Sequence, residues 1–139
     1  MRVLIASLSL LALAGCSSYQ TDTPSRVPAE RLLAYQQNSQ DDARVQVQRD
    51  VGFLGGGCMI AFNIDRQLAA RVAAGESASF HLPPGEHIVG IGIDSQGDGL
   101  CSKGFLRREL TVSLSSGESA QFRILSDANT GFDIKPAKP

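Results

Sequence analysis

The chain has 139 residues, 42% of them hydrophobic, with 13 Lys and Arg against 14 Asp and Glu for a net charge of −1. That length holds one domain once the ends are set aside, and the near-neutral balance argues against a nucleic-acid partner, which calls for basic side chains to neutralise phosphates. With no tryptophan, any sugar-stacking platform would rest on Tyr or Phe.

Met1-Arg2 supplies a positive charge, Val3 to Ala12 is an apolar run, and Leu13-Ala14-Gly15-Cys16 follows. The run is too short for a spanning helix, which takes about 20 apolar residues, and residues 1–15 fit a secretory signal. Leu13-Ala14-Gly15-Cys16 resembles the lipobox of bacterial lipoproteins, in which the cysteine is diacylated and the chain is cut just before it. The resemblance implies that Cys16 is the lipidation site and the first residue of the mature protein, with a membrane as partner. Several acyl chains together make such attachment lasting, at about 0.8 kcal/mol per buried methylene. Ser17 and Ser18 come next; by resemblance to enterobacterial sorting, a residue other than aspartate there implies the outer membrane, facing the periplasm.

Residues 16–28 are polar, with two prolines and no periodicity, and read as a flexible lipidated tether holding the domain off the bilayer. The domain proper is expected over residues 29–139. Pro28 stands at a plausible first helical position before good helix formers, so a helix of two to three turns is expected over Pro28–Gln37, with Leu32, Leu33 and Tyr35 as its apolar stripe.

From Ala43 the period changes to two, with Val45 and Val47 on one face. A glycine-rich stretch, Gly52–Gly57, leads into the strand Cys58–Phe62 rather than a helix, which favours a turn or bulge over a phosphate-cradling loop. A three-residue turn at Asp65-Arg66-Gln67 would pair Ile64 with Leu68, Phe62 with Ala70 and Ile60 with Val72. Ala74-Gly75-Glu76 turns the chain into Ser77–Leu82, and Pro83-Pro84-Gly85-Glu86 turns it again into a strand carrying His87, Val89, Ile91 and Ile93 on one face. Read as a hairpin, that turn pairs Leu82 with His87 and His81 with Ile88. After Cys101, Leu110, Val112 and Leu114 alternate, then Ala120, Phe122 and Ile124, and Phe132 with Ile134 closes the series. One echo stands out: Gly75–Leu82 matches Gly117–Ile124 in pattern, read as one hairpin solution used twice in preference to a duplicated half-domain.

About seven short strands with turn signals at regular spacing define an all-β fold, a small antiparallel β-sandwich with a short N-terminal helix. The export implied by the lipobox puts the chain in an oxidising compartment, so Cys58 and Cys101 are expected to be bridged, which stabilises by roughly 4 kcal/mol on the chain-entropy model.

The other constellations carry little chemistry. His81 and His87 would sit on opposite faces of the expected hairpin, out of reach of one metal. Asp94-Ser95-Gln96-Gly97-Asp98-Gly99 departs from a calcium loop at its third position and at Phe105, where a bidentate Glu belongs. No Gly-x-Ser-x-Gly, Ser-x-x-Lys or His-Glu-x-x-His occurs. Glu76, Glu86 and Glu118 read as solvated turn charges, and Lys103, Arg107 and Arg108 as a small basic cluster. No catalytic residue, metal or cofactor is therefore expected. The candidate interaction loops are Pro83, Pro84, Gly85 and Glu86, and the stretch carrying Asp94 and Asp98.

Arg49-Asp50-x-Gly52-Phe53-x-Gly55-Gly56-Gly57-Cys58, Ile64-Asp65, Leu68-Ala69-Ala70-Arg71 and Leu82-Pro83-Pro84-Gly85-Glu86-His87 together resemble small uncharacterised bacterial lipoproteins with a domain related to PEGA modules. The resemblance covers roughly Val27 to Pro136, and differs in the first hairpin turn, where Arg66 stands in place of glycine after Asp65. It implies a small β-sandwich in the cell envelope and lends no catalytic residue. The expected role is a lipid-anchored, non-enzymatic binding or structural module with an envelope protein or cell-wall partner. The alternative is an inhibitor or immunity-type protein that inserts a loop into a periplasmic enzyme.

Overall fold

The computed structural model describes residues 17–52 and 57–138. The expected signal over residues 1–15, the expected lipidation site Cys16 and the Phe53–Gly56 part of the glycine run lie outside the described residues. Alternating apolar side chains build two facing sheets. The first holds β1 (Ser25–Arg26), β5 (Glu76–Leu82), β2 (Ala43–Arg49), β8 (Ser119–Asp127) and β9 (Gly131–Ala137), in that order. The second holds β4 (Gln67–Val72), β3 (Ile60–Ile64), β6 (Gly85–Ile93) and β7 (Arg107–Leu114). The core lies between them, with Phe62 of one sheet 5.2 Å from Phe80 of the other and Val45, Ile64, Leu82, Val89 and Ile124 fully buried. The all-β sandwich is as expected, but with nine strands among the described residues rather than about seven.

The first sheet is mixed, not antiparallel, because β2 runs parallel to β8 and β1 parallel to β5. Parallel neighbours need a long crossover, and here the chain between β2 and β8 passes through the opposite sheet. The chain first changes sheet between β2 and β3, and its three later changes of sheet occur at corners that the sequence presents as hairpin turns. From β4 to β5 and from β7 to β8 the chain leaves the second sheet for the first; from β5 to β6 it returns. His81 therefore pairs with Arg44 and His87 with Val112, instead of their being hairpin neighbours.

The echo between Gly75–Leu82 and Gly117–Ile124 is one corner used twice. Gly75 (φ 76°) and Gly117 (φ 71°) both sit in the left-handed region, where glycine carries no Cβ penalty. The next residue folds its carboxylate back each time: Glu76 accepts from the Ala73 N–H at 2.8 Å and Glu118 from the Ser115 N–H at 2.7 Å. The two strands that follow flank β2 on either side.

The β3–β4 hairpin keeps the expected pairs Ile60–Val72 and Phe62–Ala70. A bulge after Phe62 then moves Leu68 opposite Asn63 and Gln67 opposite Ile64. The turn is thus the two residues Asp65 and Arg66, both at positive φ, which matches the twist of the flanking strands.

Two N-terminal expectations are overturned. The helix over Pro28–Gln37 shrinks to a 3-10 turn at Ala29–Arg31. A helix this short is marginal, and the sheet edges offer its backbone better partners. The Leu33 N–H donates to the Ala69 carbonyl at 2.8 Å, and the Tyr35 carbonyl accepts from the His81 N–H at 2.8 Å. Leu32 and Tyr35 still pack on the core, while Leu33 stays exposed. Nor is Ser17–Pro28 a detached tether: Ser17 pairs with Asp127, Tyr19 with Val51, β1 lies on β5, and Val27 is buried.

Candidate functional site

Strand directions sort the loops to two ends of the sandwich. One end, called proximal here, gathers the ends of β2, β4, β6 and β8 and the residue pair Ser17–Asp127. The other, distal, carries the Asp65-Arg66 turn, the Pro83–Gly85 corner and the Ser115–Gly117 corner. The two expected interaction loops flank β6, whose nine residues hold them roughly 27 Å apart at strand rise. They do not form one site.

At the distal end Pro83, Pro84, Gly85 and Glu86 are all exposed, as an interaction loop requires. His87 is buried behind them and fixes the corner. Its Nδ1 lies 2.7 Å from Asp65 Oδ2 and its Nε2 2.7 Å from the Pro83 carbonyl. Both partners accept, so only the doubly protonated imidazolium donates to both. Burial pulls the His87 pKa down, but the Asp65 contact, the Pro83 carbonyl and the Asp65 charge outweigh it and leave the pKa raised.

At the proximal end Asp94 and Asp98 part company. Asp98 is exposed, whereas Asp94 is turned inward and held by Arg71 through two bonds of 2.8 and 2.7 Å. Asp94 is thus a structural carboxylate rather than a contact residue; Arg71 first, and against it burial, set its pKa, which is lowered. Glu76 likewise proves to be no solvated turn charge: Arg31 grips both its oxygens at 2.6 and 2.7 Å. Next to this end Arg49 is buried, donates to the Cys58 and Val72 carbonyls and lies over the Phe132 ring at 5.2 Å. Burial lowers its pKa to about 10.

The loop from Asp94 to Leu106 is closed by the expected Cys58–Cys101 disulfide, with an S–S distance of 2.04 Å. On it stand Leu100 and Phe105, each 88% exposed. Beside them runs a groove of about 300 Å³ lined by Met59, Ile93, Leu106, Thr130 and Phe132. Lys103 and Arg108 line its rim, and no ion pair joins either to a carboxylate among the described residues. Arg107 points elsewhere, sharing Glu109 with Arg66. Among the described residues no group of three His, Cys, Asp or Glu is placed to hold a metal.

Leu100 and Phe105 are not legible as site residues in the sequence. Their only signal is two bulky apolar residues in or beside a loop of glycines and lysine, Gly97–Gly104, with no period to assign them a face.

No protein-family model, curated protein or solved structure matches the chain.

Proposed function

We propose that the chain is a lipid-anchored lipoprotein of the bacterial cell envelope, attached through Cys16 at the outer membrane and facing the periplasm, and that it works by binding rather than by turnover. One observation carries the reading. A short apolar run behind Arg2 ends in the lipobox-like Leu13-Ala14-Gly15-Cys16, and the next residue, Ser17, is paired with Asp127 of the domain. Cleavage before Cys16 would leave that pair in place. The binding role draws support from the acid–base groups, since His87, Asp65, Asp94, Glu76 and Asp50 are each engaged in holding a corner or a strand. Large exposed apolar side chains on a stapled loop are the surface feature that calls for a partner. The resemblance to PEGA-like envelope modules belongs to the same reading.

The inhibitor or immunity-type role keeps one supporting observation. Pro83–Glu86 is exposed throughout and stands at the end remote from Ser17, where an anchored protein would present a loop.

Mass spectrometry of the full chain expressed in a Gram-negative host, beside Cys16→Ser, tests the anchor. The expected result is an acylated N-terminal Cys16 in the membrane fraction, lost in the variant. A mature protein that starts elsewhere with an unmodified Cys16 overturns the proposal.

A further inference from the structure

With Cys16 lipidated, as proposed above, the fold leaves no slack between lipid and domain. Consecutive Cα atoms are about 3.8 Å apart, so the lipidated residue adjoins Ser17, which is paired with Asp127 at the start of the β8–β9 turn. Ser18 is held on both sides, donating to Asp50 at 2.6 Å and accepting from the Ser126 N–H at 2.8 Å. The same β8–β9 turn supplies Thr130 and Gly131 to the groove beside Leu100 and Phe105. Anchor point and apolar loop therefore share one end of the molecule.

The exposed apolar residues cluster there too. Of the four large hydrophobic residues exposed among the described residues, Leu100, Phe105 and Tyr19 (65%) are at the proximal end, and only Leu33 is not. Lys103 and Arg108 add cations on long apolar stems, which reach along an apolar surface while the charge stays wet. The carboxylates in the same loops are Asp94, which Arg71 holds, Asp98 and Asp127, and Asp127 is occupied by the Asn129 and Thr130 N–H groups of its own turn. The charge at this end is close to balanced, so apolar contact leads and electrostatics follows.

We propose that the proximal end seats directly on the phospholipid surface, with Leu100 and Phe105 entering the boundary between headgroups and acyl chains, Tyr19 at headgroup level, and Lys103 and Arg108 on lipid phosphates. Two apolar side chains hold a free protein only weakly to a bilayer. Once the lipid is inserted, the second contact becomes intramolecular, and a weak surface is enough to fix orientation. The disulfide keeps the loop in register with β3, so that the pair enters as a unit. The distal corner at Pro83–Glu86 then points into the periplasm.

The chain has no tryptophan, so Phe105→Trp makes a single fluorescent reporter at a position exposed enough to accept it. The full lipoprotein is reconstituted in phosphatidylethanolamine–phosphatidylglycerol vesicles whose acyl chains carry bromine, a short-range quencher. Pro84→Trp reports from the distal end. The expected result is a blue-shifted F105W emission that loses most of its intensity in brominated vesicles, with P84W unshifted and unquenched. F105W emission no more quenched than that of P84W, in protein that floats with the vesicles and carries acylated Cys16, overturns the seating while leaving the anchor standing. The seating falls equally if F105W is shifted without lipid, by a protein partner or a second copy, and stays unquenched in the vesicles. A chain that neither acylates nor floats overturns both.

Discussion

Ser18 reaches across 32 positions of sequence to place its hydroxyl 2.6 Å from a carboxylate oxygen of Asp50, a side chain that Arg123 grips from the other side. The same hydroxyl accepts the Ser126 N–H, so one small side chain ties the N-terminal strap to the ends of β2 and β8. Gly52 makes room for it, since a Cβ there would lie 2.8 Å from the Ser18 Cα.

Gly52→Ala should therefore dislodge residues 17–19 without melting the sandwich. Ser18→Ala, which withdraws one hydrogen bond from Asp50 and one from Ser126, should cost about 1–3 kcal/mol. Hydrogen exchange checks both. Fast exchange at the Ser18 and Tyr19 amides, with slow exchange retained in β2 and β8, is the expected pattern; protection unchanged in Gly52→Ala would show the close approach to be dispensable.

Asp94 is enclosed, with 3% of its side chain exposed, and depends on Arg71 for its charge. Arg71→Ala should cost about 3–5 kcal/mol, because it strands a buried carboxylate. Arg71→Met combined with Asp94→Leu should recover much of that loss by replacing the pair with apolar volume. Urea denaturation of the two proteins decides the matter, and equal midpoints would contradict it.

The Cys58–Cys101 bridge closes a separation of 43 residues. Its removal by Cys58→Ser with Cys101→Ser should lower stability by roughly 4 kcal/mol on the chain-entropy model. The loop carrying Leu100 and Phe105 should become the first site of cleavage in limited proteolysis. Cleavage that begins instead at the distal Pro83–Glu86 corner would show that the bridge does not govern this loop.

The His87–Asp65 pair makes the distal corner sensitive to pH from both sides. The His87 pKa is raised above 6.5, so its contribution is complete below that value and is lost as pH rises through the folded pKa. The Asp65 pKa is set by burial, which raises it, against the Ile88 N–H and His87, which outweigh burial and lower it below 3.8. That contribution is present above 3.8 and is lost as pH falls through the folded value. Thermal midpoints should be highest between these limits and decline toward alkaline pH, with Asp65→Asn flattening the alkaline limb. Parallel wild-type and variant profiles above pH 6.5 would sink the assignment.

What the sequence discloses depends on whether a signal is local. Ile60 opposite Val72 and Phe62 opposite Ala70 follow from alternation alone, because any other register would bury polar residues. The Pro83-Pro84-Gly85 signal shows that the chain turns there, but both adjoining strands bury one face whether they pair or pass to opposite sheets. Only the third dimension separates a hairpin from a corner. The Gly-Glu echo at 75 and 117 is visible as a repeat, yet its meaning lies in the carboxylates of Glu76 and Glu118 folding back on their own corners. Polar composition makes Ser17–Pro28 look unattached, since Ser18 gives no hint of a partner as distant as Asp50. Phe105 is hidden for a related reason: a lone aromatic between turns belongs to no stripe.

The path of the N-terminal segment has one more consequence. Between Ser25 and Gln36 it bonds to Gly75, Ser77, Ser79 and His81 along β5 and to Ala69 on β4, so one ribbon of chain covers open edges of both sheets. Uncovered strand edges are templates for pairing with another molecule. A protein trimmed past Gln36 would offer two such templates side by side, so this N-terminal ribbon also guards the domain against assembling into fibres with its own copies.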